Sequence, residues 1–136
     1  MTTIEAIIEK AEDGTYSVYC VKEIFSGAGS SIEEAKADMM KQMAFYKETA
    51  IEEGFKYPPF LDDDFTVSYT VDPVSLMKYY VNSGVFSLAG LGIVTGIHQK
   101  QLWSYLNGTK PRKAQRERIK KGFLSLRKEL NTFFAQ

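Results

Sequence analysis

The N-terminal half of the chain shows the two-residue alternation of apolar and polar positions that is typical of strands. Apolar side chains at every second position over residues 4–8 predict a first strand. Residues 12–14, Glu-Asp-Gly, predict a tight turn, and the β-branched and aromatic residues of 15–21 predict the returning strand. Residues 25–29 predict a short third strand or a loop. A one-sided alternation over residues 65–71 predicts the last strand of this half.

One long helix is predicted between the third strand and the last. Ser31 and Glu34 form a capping-box pattern, in which the Ser31 hydroxyl accepts the Glu34 amide and the Glu34 carboxylate reaches back to the Ser31 amide. The helix should end at Gly54, because glycine readily adopts the left-handed conformation that closes helices. Its core-facing positions, at helical spacing, are Ile32, Ala35, Met39, Met43, Tyr46 and Ala50. The element order predicts an α+β fold with a small antiparallel sheet and one long helix on one face.

The C-terminal half predicts four helices and no strand. Asp72-Pro73 marks the start of the first helix, since aspartate caps and proline fits the first turn. Ser87 can cap the second helix, and Gly96 breaks it with a left-handed turn. The predicted ranges are about 73–82, 88–94, His98 or Gln99 to about 107, and 112–132. We therefore predict two domains, residues 1–71 and residues 72–136.

Two short helices joined by a tight glycine turn are typical of the helix-turn-helix. Residues 91–97, followed by 99–102 and 106–108, resemble the phage-repressor (Cro/CI-like) version of this motif. Gly92 would let the helices approach closely. Ile97, Leu102 and Leu106 would fix the third predicted helix on the core, while Leu88, Ile93 and Val94 give the second helix an apolar surface for the other domain or a second subunit.

Turning Leu102 and Leu106 inward sends Lys100, Ser104 and Asn107 outward, with Gln99 and Trp103 on a flank. Glutamine can make a bidentate contact to adenine and lysine can donate to guanine in the major groove. The candidates for base contacts are therefore Gln99, Lys100 and Ser104, with Gln101 a weaker one. The candidates for phosphate contacts are Lys110, Arg112, Lys113 and Arg116. The alternative is that this is an ordinary polar helix face.

The charge distribution divides the chain into halves of opposite sign. The 136 residues carry 17 basic and 17 acidic side chains. Residues 1–73 hold six lysines and fifteen acidic residues, a balance of −9, whereas residues 74–136 hold seven lysines, four arginines and two glutamates, a balance of +9. A basic half of this size suits a polyanion, because each cation on a phosphate releases condensed counterions. Charge alone also allows the two halves simply to attract each other. The helix-turn-helix pattern, together with the basic charge, favours binding of double-stranded DNA.

No residue cluster argues for an enzyme or a cofactor. Asp62-Asp63-Asp64 could attract a hard cation, but neighbouring side chains on an extended chain point to opposite sides, which favours a solvated loop. A magnesium-dependent nuclease using Asp13, Glu34 and this triplet is the least favoured hypothesis. A single cysteine excludes an internal disulfide, and one cysteine with one histidine leaves few good zinc ligands. With no membrane-length apolar run and no export signal, we expect a cytoplasmic protein.

Residues 8–16 and 26–35, IEKAEDGTY and SGAGSSIEEA, resemble the HicB antitoxins, as do residues 86–91, 95–102 and 110–112. The resemblance implies a degenerate ribonuclease H-like N-terminal domain that binds and blocks a small ribonuclease toxin. It also implies a C-terminal domain that represses its own operon as a homo-oligomer, and no nuclease activity. An acidic domain suits a basic RNA-cleaving partner electrostatically. The alternative is a solitary regulator whose N-terminal domain binds a ligand or another partner.

Phe133 and Phe134 end the last predicted helix. Two adjacent aromatic residues near a terminus predict docking on the other domain, dimerisation or a place in the core. The sequence does not choose between these.

Overall fold

The computed structural model describes all 136 residues and has two compact units, Met1–Asp72 and Pro73–Gln136. The fold is α+β, as predicted. The N-terminal unit holds β1 (Thr2–Lys10), β2 (Tyr16–Cys20), β3 (Ser26–Gly29), α1 (Ile32–Glu53), a 3₁₀ turn (Pro59–Asp62) and β4 (Phe65–Val71). The C-terminal unit holds α2 (Pro73–Asn82), α3 (Leu88–Thr95), α4 (Gln99–Leu106) and α5 (Lys113–Phe134). None of these helices is both long and apolar enough to span a bilayer.

The four strands form a mixed sheet in the order β3-β2-β1-β4. β1 pairs with β2, and β2 with β3, in antiparallel fashion. β4 instead runs parallel to β1, with Ile4 beside Val67, so the prediction of a purely antiparallel sheet is wrong at this edge. The cause is α1, whose 22 residues span about 33 Å and carry the chain back across the sheet. A strand that follows such a crossover runs in the same direction as the strand before it, which here is β3. Since β3 and β1 are both antiparallel to β2, β4 is also parallel to β1.

The core of the N-terminal unit lies between the sheet and α1. Its largest fully buried side chains are Met39 and Met43 from the helix and Val18 from β2. Cys20 is buried beside the Met39 sulfur at 3.8 Å, and burial raises the pKa of its thiol, as expected for a small core residue. At Gly27 the strand touches the helix backbone: a Cβ there would lie 2.4 Å from the Ala35 carbonyl oxygen. β3 therefore packs directly on α1.

The start of α1 differs in one detail from the predicted capping box. The Ser31 hydroxyl accepts the Glu34 amide at 3.1 Å, as predicted. The Glu34 carboxylate, however, accepts the amide of Ser30 at 2.8 Å and the Ser30 hydroxyl, instead of the Ser31 amide. These hydrogen bonds hold the pKa of Glu34 below its usual value. The helix ends as predicted at Gly54, whose φ is 74°.

Tyr19 on β2 is expected to make the stability of the N-terminal unit sensitive to alkaline pH. Burial, and the hydrogen bond that its hydroxyl donates to Glu9 at 2.9 Å, raise its pKa from 10 to about 12. Because the folded-state pKa is the higher one, the stabilisation is complete below pH 10 and is lost as the pH rises towards 12. We expect the urea midpoint of the wild type to fall more steeply over this interval than that of Tyr19→Phe. Equal slopes would contradict the assignment.

The core of the C-terminal unit is built by all four of its helices. Its buried members are Met77, Leu91, Ile97, Leu102, Tyr105 and Ile119. The helix bounds lie within about two residues of the predicted ones. Phe133 and Phe134 are exposed at the end of α5, so the prediction that they could belong to the core is wrong.

Candidate nucleic-acid interface

A tight turn joins α3 to α4 and fixes the direction of both. Gly96 ends α3 with a φ of 71°, and its amide donates to the Gly92 carbonyl. The Thr95 hydroxyl donates to the Leu91 carbonyl at 2.7 Å and accepts the Ile97 amide at 3.2 Å. These three hydrogen bonds inside the turn restrain its backbone.

His98 caps the N-terminus of α4. Its Nδ1 accepts the Lys100 amide at 3.1 Å. This bond requires Nδ1 to be the unprotonated ring nitrogen, because a protonated imidazole has no acceptor.

α5 holds the turn from the other side, through two residues that the sequence did not single out. Arg118 donates from Nη2 to the Gly96 carbonyl at 2.7 Å. A Cβ at Gly122 would lie 2.7 Å from the Val94 carbonyl oxygen, so α5 lies against the backbone of α3 there. At Gly92, predicted to allow a close helix approach, a Cβ would lie 3.3 Å from the Ile97 carbonyl oxygen and 3.6 Å from the side chain of Gln99 at the start of α4. The tightest helix contact therefore belongs to Gly122.

The rotation of α4 about its axis is set by its buried residues. Leu102 is fully buried and Leu106 half-buried, as predicted, and Tyr105 is also in the core. The sequence signal for Tyr105 was its place three positions after Leu102, which puts both on one helix face. With these side chains inward, the opposite face of α4 is directed to solvent.

The predicted base-contact residues all lie on α4, and three of the four are exposed. Gln99, Lys100 and Gln101 are solvent-exposed, whereas Ser104 is half-buried. The Ser104 hydroxyl donates to the Gln101 carbonyl at 2.7 Å, which leaves its oxygen free to accept. Trp103, which the sequence placed only on a flank, is 58% exposed. This side of the helix is therefore polar and cationic, with one large aromatic ring.

The predicted phosphate-contact residues follow α4 directly. All four are exposed, in the connection before α5 and in its first turns: Lys110, Arg112, Lys113 and Arg116. The start of α5 has no acidic side chain in its first turn and no side-chain cap from Arg112. The helix dipole adds to the positive potential of this segment. The segment as a whole suits an anion.

Two of the carboxylates considered for a metal site, Asp13 and Asp62, have other partners. Asp62 accepts Lys47 at 2.9 Å and the Tyr57 hydroxyl at 3.0 Å, and these contacts lower its pKa. Asp13 accepts the amide and hydroxyl of Thr15, which lowers the pKa of Asp13. No three His, Cys, Asp or Glu side chains are grouped to hold a metal ion. The acidic unit offers charge without a preformed cation site.

Comparison with known proteins gives no match, whether to protein-family models, to curated proteins or to solved structures.

The packing of α5 against α3 predicts that Gly122→Ala lowers the free energy of unfolding, the opposite of what helix propensity alone predicts. Helix propensity alone would favour alanine by about 1 kcal/mol. Because the new methyl group would meet the Val94 backbone, we expect instead a loss of about 2 kcal/mol in the free energy of unfolding. Urea denaturation followed by circular dichroism measures this loss.

Gly90→Ala is the matched control, because a Cβ at Gly90 would meet only the Ser87 hydroxyl oxygen, at 3.2 Å. We expect Gly90→Ala to be neutral or stabilising. A stabilising effect of both substitutions would show that α5 does not lie against α3 as described.

Proposed function

We propose that the C-terminal unit is a sequence-specific, helix-turn-helix binder of double-stranded DNA. The observation that carries the proposal is the exposed polar face of α4, held by the hydrogen-bonded turn at Gly96. An α-helix fits the major groove, and residues near its N-terminus reach the base edges. Gln99, Lys100, Gln101 and Ser104 occupy this part of α4.

The net charge supports the same proposal. Residues 74–136 carry a balance of +9, and the cations after α4 are directed to solvent. Lys110, Arg112, Lys113 and Arg116 would position the protein on the phosphates and carry no sequence information themselves. Affinity should then fall steeply as salt concentration rises.

The N-terminal unit, in this proposal, binds a basic protein partner. Its balance of −9 supports a cationic partner, and the HicB resemblance specifies a small ribonuclease toxin that the unit would block. The strand order supports a degenerate ribonuclease H-like domain, since that fold also joins three antiparallel strands to a parallel fourth through a helix. The whole chain would then be an antitoxin that represses its own operon as a homo-oligomer.

A gel shift on the DNA upstream of its own gene tests the DNA-binding part. We expect binding that prefers this DNA over random duplex and weakens strongly between 50 and 200 mM salt, by about 10³-fold or more if six or more phosphates are contacted. Equal affinity for both duplexes would contradict specific binding.

A short basic reading frame beside the gene tests the antitoxin part. Its product should co-purify with the full chain and lose its ribonuclease activity in the complex. If no such product binds, the second candidate is a solitary regulator that uses its N-terminal unit for another ligand. An open groove on the surface beside β3 and α1, lined by Ile24, Asp38 and Phe45 among others, favours that candidate.

A further inference from the structure

Trp103 is the single tryptophan of the chain and lies on the solvent-facing side of α4. It follows Lys100 by three positions and precedes Asn107 by four, so the three side chains share one stripe of the helix surface. Lys100 and Asn107 are exposed as well. Any surface that receives the Lys100 side chain along α4 therefore also meets the indole ring.

The ring cannot turn into the core of the unit without dismantling it. Its neighbours Leu102 and Tyr105 are buried and fix the rotation of α4. The Asn107 side chain donates to the Trp103 carbonyl at 2.8 Å, which holds the last turn of the helix. Exposing so large an apolar ring is unfavourable, since burial of an aromatic side chain is among the larger single contributions to an interface.

We propose that Trp103 determines sequence specificity by packing its indole ring on the C5-methyl group of thymine, beside the base read by Lys100. This inference rests on the proposed DNA binding and adds a residue outside the predicted contact set. The thymine methyl group is the apolar group that the major groove displays among its hydrogen-bonding edges. The +9 balance of the unit favours a polyanion over a neutral or basic surface as the occupant of this face, and within the proposed helix-turn-helix binding that polyanion is duplex DNA.

The first measurement uses the full chain and its own fluorescence. Because Trp103 is the sole tryptophan, its emission reports on this face of α4 alone. Titration with the preferred duplex should change the emission and protect the ring from acrylamide quenching. Saturable binding with an unchanged, fully quenchable ring would overturn the inference and leave the DNA-binding proposal standing.

The second measurement replaces thymine by uracil in the bound site, which removes the methyl group and nothing else. We expect the wild type to lose about tenfold in affinity at one or two positions. Trp103→Ala should bind the thymine duplex about tenfold more weakly and no longer distinguish thymine from uracil. Trp103→Phe should keep part of the distinction.

Two outcomes separate the possible failures. If Trp103→Ala still distinguishes thymine from uracil, or if the wild type never does, the inference is wrong although DNA binding is real. If the full chain shows no preference for any duplex, the proposed function fails and the inference fails with it. Matching circular dichroism spectra of wild type and Trp103→Ala exclude unfolding as the cause, since an exposed ring contributes little to the fold.

Discussion

Replacement of Gly27 by alanine is expected to destabilise the N-terminal unit by about 3 kcal/mol. The added Cβ would lie 2.4 Å from the Ala35 carbonyl oxygen and 2.4 Å from the Met39 amide nitrogen. Both atoms belong to the backbone of α1, so no side-chain rotation relieves the contact. The strand would have to move away from the helix and open the core around Met39, which is fully buried. Urea denaturation of the full chain measures the loss.

Ala28→Ser is the control for Gly27→Ala, because residue 28 lies on the same strand with its side chain exposed. It should change stability by no more than about 0.5 kcal/mol. A Gly27→Ala variant as stable as this control would mean that β3 does not pack on α1.

Lys100→Ala and Arg112→Ala are expected to weaken DNA binding in different ways. Lys100, exposed in the first turn of α4, would read a base, so its removal should cost about 1–3 kcal/mol on the preferred duplex and little on random duplex. Arg112, exposed before α5, would contact a phosphate. Its removal should weaken all duplexes alike and reduce the slope of log affinity against log salt by about one.

The two variants serve as controls for each other, since each removes one cation from the same basic unit. Gel shifts on preferred and random duplexes at several salt concentrations separate the effects. An equal loss on both duplexes in Lys100→Ala would remove Lys100 from the base contacts.

The pattern of the sequence predicted the elements of the N-terminal unit but not the direction of one strand. Alternation over residues 65–71 shows which side chains share a face, and this is the same for parallel and antiparallel neighbours. The length of α1 held the missing signal, because strands joined by a long crossover helix run in parallel. The close contact at Gly27 left no such signal, since a glycine in a strand could equally mark a bulge.

The helices of the C-terminal unit were predictable because the capping residues, the terminating glycines and the helical spacing of apolar residues indicated the same boundaries. Ser87 caps the start of α3 and Gly96 caps its end, and the buried Leu102 sets the inward face of α4. Arg118 and Gly122 escaped prediction, since their role depends on where α5 crosses α3. That crossing brings residues 22 and 28 positions apart into contact, from Gly96 to Arg118 and from Val94 to Gly122. Local patterns do not encode contacts of that kind.

The central claim is that the exposed face of α4 reads a DNA sequence. Selection of bound duplexes from a random-sequence library, with the full chain and with Lys100→Ala, tests it most directly. The claim predicts one enriched motif for the wild type, with the preference lost or changed at a defined base pair in Lys100→Ala. No enriched motif, or an unchanged motif in that variant, would contradict it.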